Sequence, residues 1–267
     1  MASTQLYHDI SSTGNQKTWT FSAWVKKCGL SANSYLYSQG SSGSNYIGIY
    51  FDANDVFKVY NEVSSSQTLY FVTNRKFRDA SAWYHIVVKC DTTQSTEGDR
   101  FKIYINGVQE TSFSTSAYPS QNSNTNMNTT RQRIGVYHPD GSSPNGYMNG
   151  VMSHIHLTDG YAYDASTFGS TDSTTGQWKI NTAPSVTYGN NGFFIFKDGN
   201  NLSGSTVQDQ SGNSNNFTVS SGTLTNVEDS PSNVFCTLNS LTGDCTLSNG
   251  NTTWVGTQSG YEHTSAT

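Results

Sequence analysis

A chain of 267 residues with 13% aromatic but only 12% charged side chains and a formal net charge of −5 is unlike a disordered chain, which needs high charge and few aromatics. The absence of a basic run argues against nucleic-acid binding, and no apolar stretch approaches membrane-spanning length, so membrane insertion is not expected. The opening "MASTQLYHDISSTGNQK" lacks the charged and apolar regions of a signal peptide, which points to synthesis in a cytoplasm.

Taken in chain order, short strands separated by turn residues are predicted at 18–27, 34–40, 45–51, 55–63 and 67–73. In "WYHIVVKC", Tyr84, Ile86 and Val88 fall on one face, as a period of two requires. In "RFKIYING" the apolar set is Phe101, Ile103 and Ile105. Asn106-Gly107 then predicts a type I′ hairpin, since both central residues need positive φ. The stretch between these strands, "DTTQSTEGD", reads as a solvated loop. Further strands are expected at 131–137, 146–160 and 191–199, with one helical turn at 163–169 for which Asp164 is the candidate cap. Residues 115–130 and 170–190 read as long polar loops, the second anchored by Trp178 and Ile180.

The pattern predicts an all-β, antiparallel two-sheet jelly-roll sandwich over residues 1–220. Its inward residues should include Phe21, Ala23, Val25, Ile86, Val88, Phe101, Ile103, Ile105 and Val151. Residues 221–267 are too sparse in large apolar side chains for a core of their own. They read as a linker and the start of a second β-sandwich, or as an assembly segment packing on the sandwich or on another chain. Four cysteines occur, at 28, 90, 236 and 245. Cys236 and Cys245 flank a hairpin-like stretch and could bridge, but the reading adopted is four free thiols, with no C-x-x-C pair to suggest zinc. The sequons at Asn128, Asn201, Asn216 and Asn251 follow from the Asn- and Ser-rich composition.

Four segments resemble the laminin-G-like, concanavalin A-like lectin/glucanase superfamily: "TWTFSAWVK", "WYHIVVKCDTT", "RFKIYINGV" and "GYMNGVMSHIHLTDGYAYDASTFG". Tyr147, Gly150, Val151 and Ile155 match the family's late strand, with His154 where it usually has Asp. A closer resemblance is to a subgroup of bacteriophage virion proteins, carried by four motifs in order: "TGQW" (175–178), "YGNNGFFIF" (188–196), "DQSGNSNNFT" (209–218) and "DSPSNVFCTLN" (229–239). That resemblance implies a tail fibre, head fibre or capsid decoration module, made in a host cytoplasm and carried out on the virion. The implied partners are other virion proteins, further copies of the chain and a host-surface glycan. The alternatives are a cellular lectin or adhesin module and, more weakly, a glycoside hydrolase.

The best ligand loop is "YHPDGSSPNG" (137–146). Tyr137 and His138 offer flat faces to a sugar, and Asp140 and Asn145 offer hydrogen bonds. An ordinary Pro/Gly turn is the competing reading. Asp209, Ser211 and Asn213 alternate as in a calcium loop, although one carboxylate makes a poor site and an Asx-rich turn fits better. No cofactor is required on this reading, while the resemblance to laminin-G-like proteins keeps a weakly bound calcium ion as the alternative. His154 and His156 would share a strand face, with Asp159 following, but lack a clear third metal ligand. No catalytic residue is assigned. Glycosidases need two carboxylates facing one bond, and the only acidic pair two residues apart, Glu97 and Asp99, lies in the predicted loop.

Overall fold

The computed structural model describes residues 3–234, 236–238 and 245–256. Its strands run β1 Gln5–His8, β2 Thr18–Lys27, β3 Ser34–Ser42, β4 Asn45–Phe51, β5 Val56–Val63, β6 Ser66–Lys76, β7 Trp83–Asp91, β8 Phe101–Ile105, β9 Val108–Gln109 and β10 Phe113–Ala117. They continue as β11 Gln132–Ile134, β12 Gly150–Asp159, β13 Gly169–Thr171, β14 Trp178–Ile180, β15 Phe193–Ile195, β16 Leu202–Ser203, β17 Thr206–Val207, β18 Phe217–Ser221, β19 Cys245–Ser248 and β20 Thr253–Gly256. One sheet has the order β10-β6-β5-β4-β3-β11-β1-β18-β17-β16 and the facing one β15-β12-β2-β7-β8-β9. All pairings are antiparallel, giving the all-β sandwich that the alternation predicts.

The core between the sheets holds Phe21, Ala23, Val25, Ile86, Val88, Phe101, Ile103 and Ile105, as expected, with Phe51, Phe57, Phe71, Ile155 and Leu157. Val151 is a correction. A bulge between Ser153 and His156 inserts one residue, with His154 at φ +47°. The inside–outside alternation therefore flips along β12, so Met152 packs on the core and Val151 pairs with Lys26 on the outer face. Despite the bulge, His154 and His156 stay on the outer face, both against the Phe194 ring at 5.7 and 3.9 Å, with Ile155 between them in the core.

β2 is buried on both faces, because a third layer covers the outside of the six-stranded sheet. Residues 169–180 form the β13–β14 hairpin, where a loop was expected, while 181–190 run on without regular structure. It lays Trp178 over His85 at 6.0 Å between ring centroids, and Trp24 stacks on the same ring at 4.8 Å. A Cβ on Gly107 would fall 2.3 Å from the Trp178 ring. The Asn106-Gly107 turn, with φ +49° and +80°, thus both reverses the chain and seats the indole. The Trp178 indole N–H donates to His85 Nδ1 at 3.0 Å. His85 must therefore carry its proton on Nε2, which faces Ser22 Oγ at 2.9 Å.

Other expectations shift locally. Asp164 precedes the 3₁₀ turn Ala165–Thr167 but makes no cap bond there. Its carboxylate instead accepts from Lys89 Nζ at 2.8 Å and Tyr104 Oη at 2.6 Å. Residues 97–100 close one helical turn, α1 Glu97–Arg100. The 115–130 segment includes the end of β10 and turns inward, burying Met127 in the core and giving Thr125 Oγ1 to the Trp19 indole at 3.1 Å. β18 joins the large sheet by pairing with β1, and β17 and β16 extend it to the edge. Beyond it, Asp229 meets the fully buried Lys26 Nζ at 2.8 Å and the Trp83 indole at 3.0 Å, and Thr237 Oγ1 lies 2.9 Å from the same Lys26. Cys28 and Cys90 are free thiols; the side chain of Cys245 lies outside the described residues.

Candidate functional site

The ten-stranded sheet turns its other face outward, and tyrosines dominate it. β4 sends Ile47, Ile49 and Phe51 inward and Tyr46, Gly48 and Tyr50 outward. β5 sends Phe57 and Val59 inward and Lys58, Tyr60 and Glu62 outward; β6 adds Tyr70 opposite Tyr60. Tyr35 of β3 and Tyr137, just after β11, complete the group. The rings form one unbroken path: Tyr70 to Tyr60 at 5.3 Å, Tyr60 to Tyr46 at 5.3 Å, Tyr46 to Tyr137 at 5.2 Å, Tyr137 to Tyr35 at 5.1 Å and Tyr35 to Tyr50 at 4.3 Å. These separations suit mutually stabilising aromatic pairs.

Two glycines set the floor. A Cβ on Gly48 would fall 2.9 Å from the Tyr35 ring, and one on Gly146 would fall 2.7 Å from it. Tyr35 therefore lies in the gap that these residues leave, 6% exposed, while Gly146 O accepts its backbone N–H at 2.9 Å. The other five rings are half-buried. Burial raises the phenols of Tyr35, Tyr46, Tyr50 and Tyr137, and burial with the Glu62 carboxylate pushes Tyr60 up to about 12. These groups are neutral hydroxyls at ordinary pH. Tyr60 Oη donates to Glu62 Oε2 at 2.6 Å. The hydroxyls of Tyr46, Tyr70 and Tyr137 make no hydrogen bond among the described residues.

Of the residues singled out in the 137–146 loop, Tyr137 joins this face and Asn145 flanks it, bridging to Tyr137 through paired backbone bonds of 2.9 and 3.0 Å. His138 and Asp140 hold the loop in place. His138 Nδ1 meets Gln5 Oε1 at 3.1 Å, and Asp140 accepts from Arg133 Nη2 at 2.9 Å. Burial and Arg133 lower the His138 pKa. Five members of the tyrosine face, Tyr35, Tyr46, Tyr50, Tyr60 and Tyr70, were not read as a site from the sequence. Their signal is present in "NYIGIYF" and its neighbours, where tyrosine recurs opposite the aliphatic face.

Asp209, Ser211 and Asn213 come together as a staple. Asp209 Oδ1 accepts from the N–H groups of Phe194 and Ser211, and Oδ2 accepts from Ser211 Oγ and Asn215 N. Asn213 points its amide nitrogen at the carbonyls of Gly189 and Gly192. The arrangement is the Asx-rich turn, with donors where a cation would need free oxygens. His156 stacks on Phe194 at 3.9 Å and meets Tyr188 Oη at 2.9 Å, while His154 Nδ1 meets Ser153 Oγ at 2.7 Å. Asp159 is spent on Asn15, Asn128 and Asn191. No group of three His, Cys, Asp or Glu among the described residues is placed to hold a metal ion. Asp99 pairs with Lys102 at 2.8 Å, and with Glu97 it sits on the α1 turn, away from the tyrosines.

An antiparallel jelly roll with an aromatic outer face is a lectin-like β-sandwich. The chain belongs to the concanavalin A-like lectin/glucanases superfamily, whose Laminin_G_3 model matches residues 2–165. Among solved structures, it is similar to a Bacteroides ovatus protein named as a candidate carbohydrate binding protein, at 12% identity and TM-score 0.52, covering 88% of this chain and 63% of that one. It also resembles a heptameric SAP-like pentraxin from Limulus polyphemus (13% identity, TM-score 0.46, 67% of this chain and 86% of that one) and domains LG4-5 of the mouse laminin alpha1 chain (11%, 0.42, 61% and 46%). No curated protein matches it.

Proposed function

We propose that this chain is a non-catalytic glycan-binding module displayed on a phage particle, and that the tyrosine face is its binding surface. The observation that carries this reading is the unbroken path of six tyrosines on one sheet face, with the hydroxyls of Tyr46, Tyr70 and Tyr137 left open to a ligand. Ring faces and edges pack on the C–H groups of a sugar, and hydroxyls fix its orientation. Membership of a lectin-like family supports it, as does the likeness to a structure named for carbohydrate binding. The non-catalytic reading rests on the carboxylates at this face: Asp52 is tied to Lys58 at 2.8 Å and Asp140 to Arg133 at 2.9 Å, which leaves Glu62 without a second free carboxylate to face it across the tyrosines.

The virion setting rests on the four ordered motifs shared with phage surface proteins. In this fold, three of them brace the module: "TGQW" carries Trp178, "YGNNGFFIF" supplies Tyr188 and β15, and "DQSGNSNNFT" staples the 189–194 turn. On this reading the chain works as a homo-oligomer beside other virion proteins and needs no metal ion. A glycan array probed with the wild-type chain, Tyr46→Ala and Tyr60→Ala tests the binding reading. Specific signals lost in both variants support it, and signals unchanged in both overturn it. Electron microscopy of particles bearing a labelled chain tests the display reading, which falls if purified virions carry no label.

A further inference from the structure

We infer that the tyrosine face selects a neutral, extended glycan of several sugar units and disfavours acidic ones; this rests on the binding reading above and adds the ligand class. The extent of the surface gives the first argument. The tyrosines span β3 to β6, four adjacent strands, or roughly 15 Å at the usual strand spacing. The path from Tyr70 to Tyr50 has no break wider than 5.3 Å. A single sugar would cover only part of it, so successive units find further rings and further open hydroxyls at Tyr46, Tyr70 and Tyr137.

The charges give the second argument. The cation set among the rings, Lys58, is held by Asp52 at 2.8 Å, and both are largely buried. Arg133, at the Tyr137 end, is held by Asp140 at 2.9 Å and by the His138 carbonyl. A sugar carboxylate or sulfate would have to break one of these pairs to find a counter-charge. Glu62 has no cationic partner among the described ion pairs, so it leaves the face with a net negative charge. Its carboxylate, already accepting from Tyr60, can accept from a neutral sugar hydroxyl and repels an anion. The net charge of −5 on the chain adds the same sign at longer range.

The experiment is calorimetric titration at low and moderate salt. The probes are neutral gluco-, galacto- and manno-oligosaccharides from monosaccharide to hexasaccharide, matched against uronic-acid oligomers of the same lengths. The proteins are the wild type, Tyr60→Ala and Glu62→Gln, each shown to be folded by circular dichroism. The expected result is that affinity for at least one neutral series climbs with length, and that its acidic counterpart binds at least about tenfold more weakly, a gap that narrows with added salt and in Glu62→Gln. Acidic oligomers binding as well or better, with the signal lost in Tyr60→Ala, would overturn this inference and leave the tyrosine site standing. Neutral binding that Tyr60→Ala does not weaken would overturn the site itself. Affinity already complete with the monosaccharide would overturn the extended-ligand claim alone.

Discussion

Acidification should unfold this protein well before its carboxylates titrate, because three neutral histidines are built into the covered face of the six-stranded sheet. Burial lowers His85 to about 3 and His154 to about 4, and holds His156 well below the ordinary value. An ordinary histidine titrates near 6.5. Below it the unfolded chain binds protons that the folded chain refuses, so stability falls as pH falls. Each such group contributes a slope of about 1.4 kcal/mol per pH unit until its folded pKa is reached. At about pH 5 that is on the order of 2 kcal/mol for each of His85 and His154, about 4 kcal/mol for the two, with His156 acting in the same direction, a large fraction of the stability of a typical domain. For His85 the geometric cause is explicit, since a proton on Nδ1 would face the Trp178 indole N–H. The lowered aspartates, Asp52, Asp55, Asp91 and Asp164, act in a different window. Their contribution holds above about pH 4 and is lost below it. Urea denaturation in steps from about pH 7.5 to about pH 5 at fixed ionic strength measures the slope. His85→Gln, which cannot titrate, should make it shallower. Stability that stays flat across this range, or a slope unchanged in His85→Gln, would refute the reasoning.

Asp229→Ala should cost about 3–5 kcal/mol, because it strands a fully buried Lys26; pairing it with Lys26→Met should recover most of the loss, and a near-neutral single variant in denaturant titration would contradict the contact. Gly48→Ala drives a methyl into the Tyr35 ring and should destabilise by about 1–3 kcal/mol while weakening glycan binding; an unchanged melting temperature and affinity would count against the seating of Tyr35. Chelation with EDTA should leave the melting temperature unchanged, since Asp209 already accepts four hydrogen bonds, and a fall of about 4 °C or more would show a bound cation that the geometry does not anticipate.

The parts of the fold legible in the sequence are those set by local period and turn chemistry. Phe101, Ile103 and Ile105 alternate without interruption, and Asn106-Gly107 admits few turns. Val151 was misplaced because a bulge shifts parity by one residue, and nothing in "GVMSHIHLTDG" marks His154 as the extra one. The third layer was hidden for another reason. Trp178 stands in a polar stretch, and its seat depends on the distant Gly107 and His85. The tyrosine face was half legible. Tyr137 drew notice as part of a Pro/Gly loop, whereas Tyr46, Tyr50, Tyr60 and Tyr70 read as ordinary strand residues. Their significance depends on four strands lying in register, which is a long-range fact.

The central claim is that a glycan lies on the tyrosine face, and nuclear magnetic resonance with ring-labelled tyrosine reads that directly. Titrating in a neutral oligosaccharide should shift the resonances of Tyr46, Tyr60, Tyr70 and Tyr137 together, and leave those of Tyr104, Tyr163 and Tyr188, on the outer side of the opposite sheet, in place. Saturable binding that moves only the second group, or moves none of the first, would contradict the account.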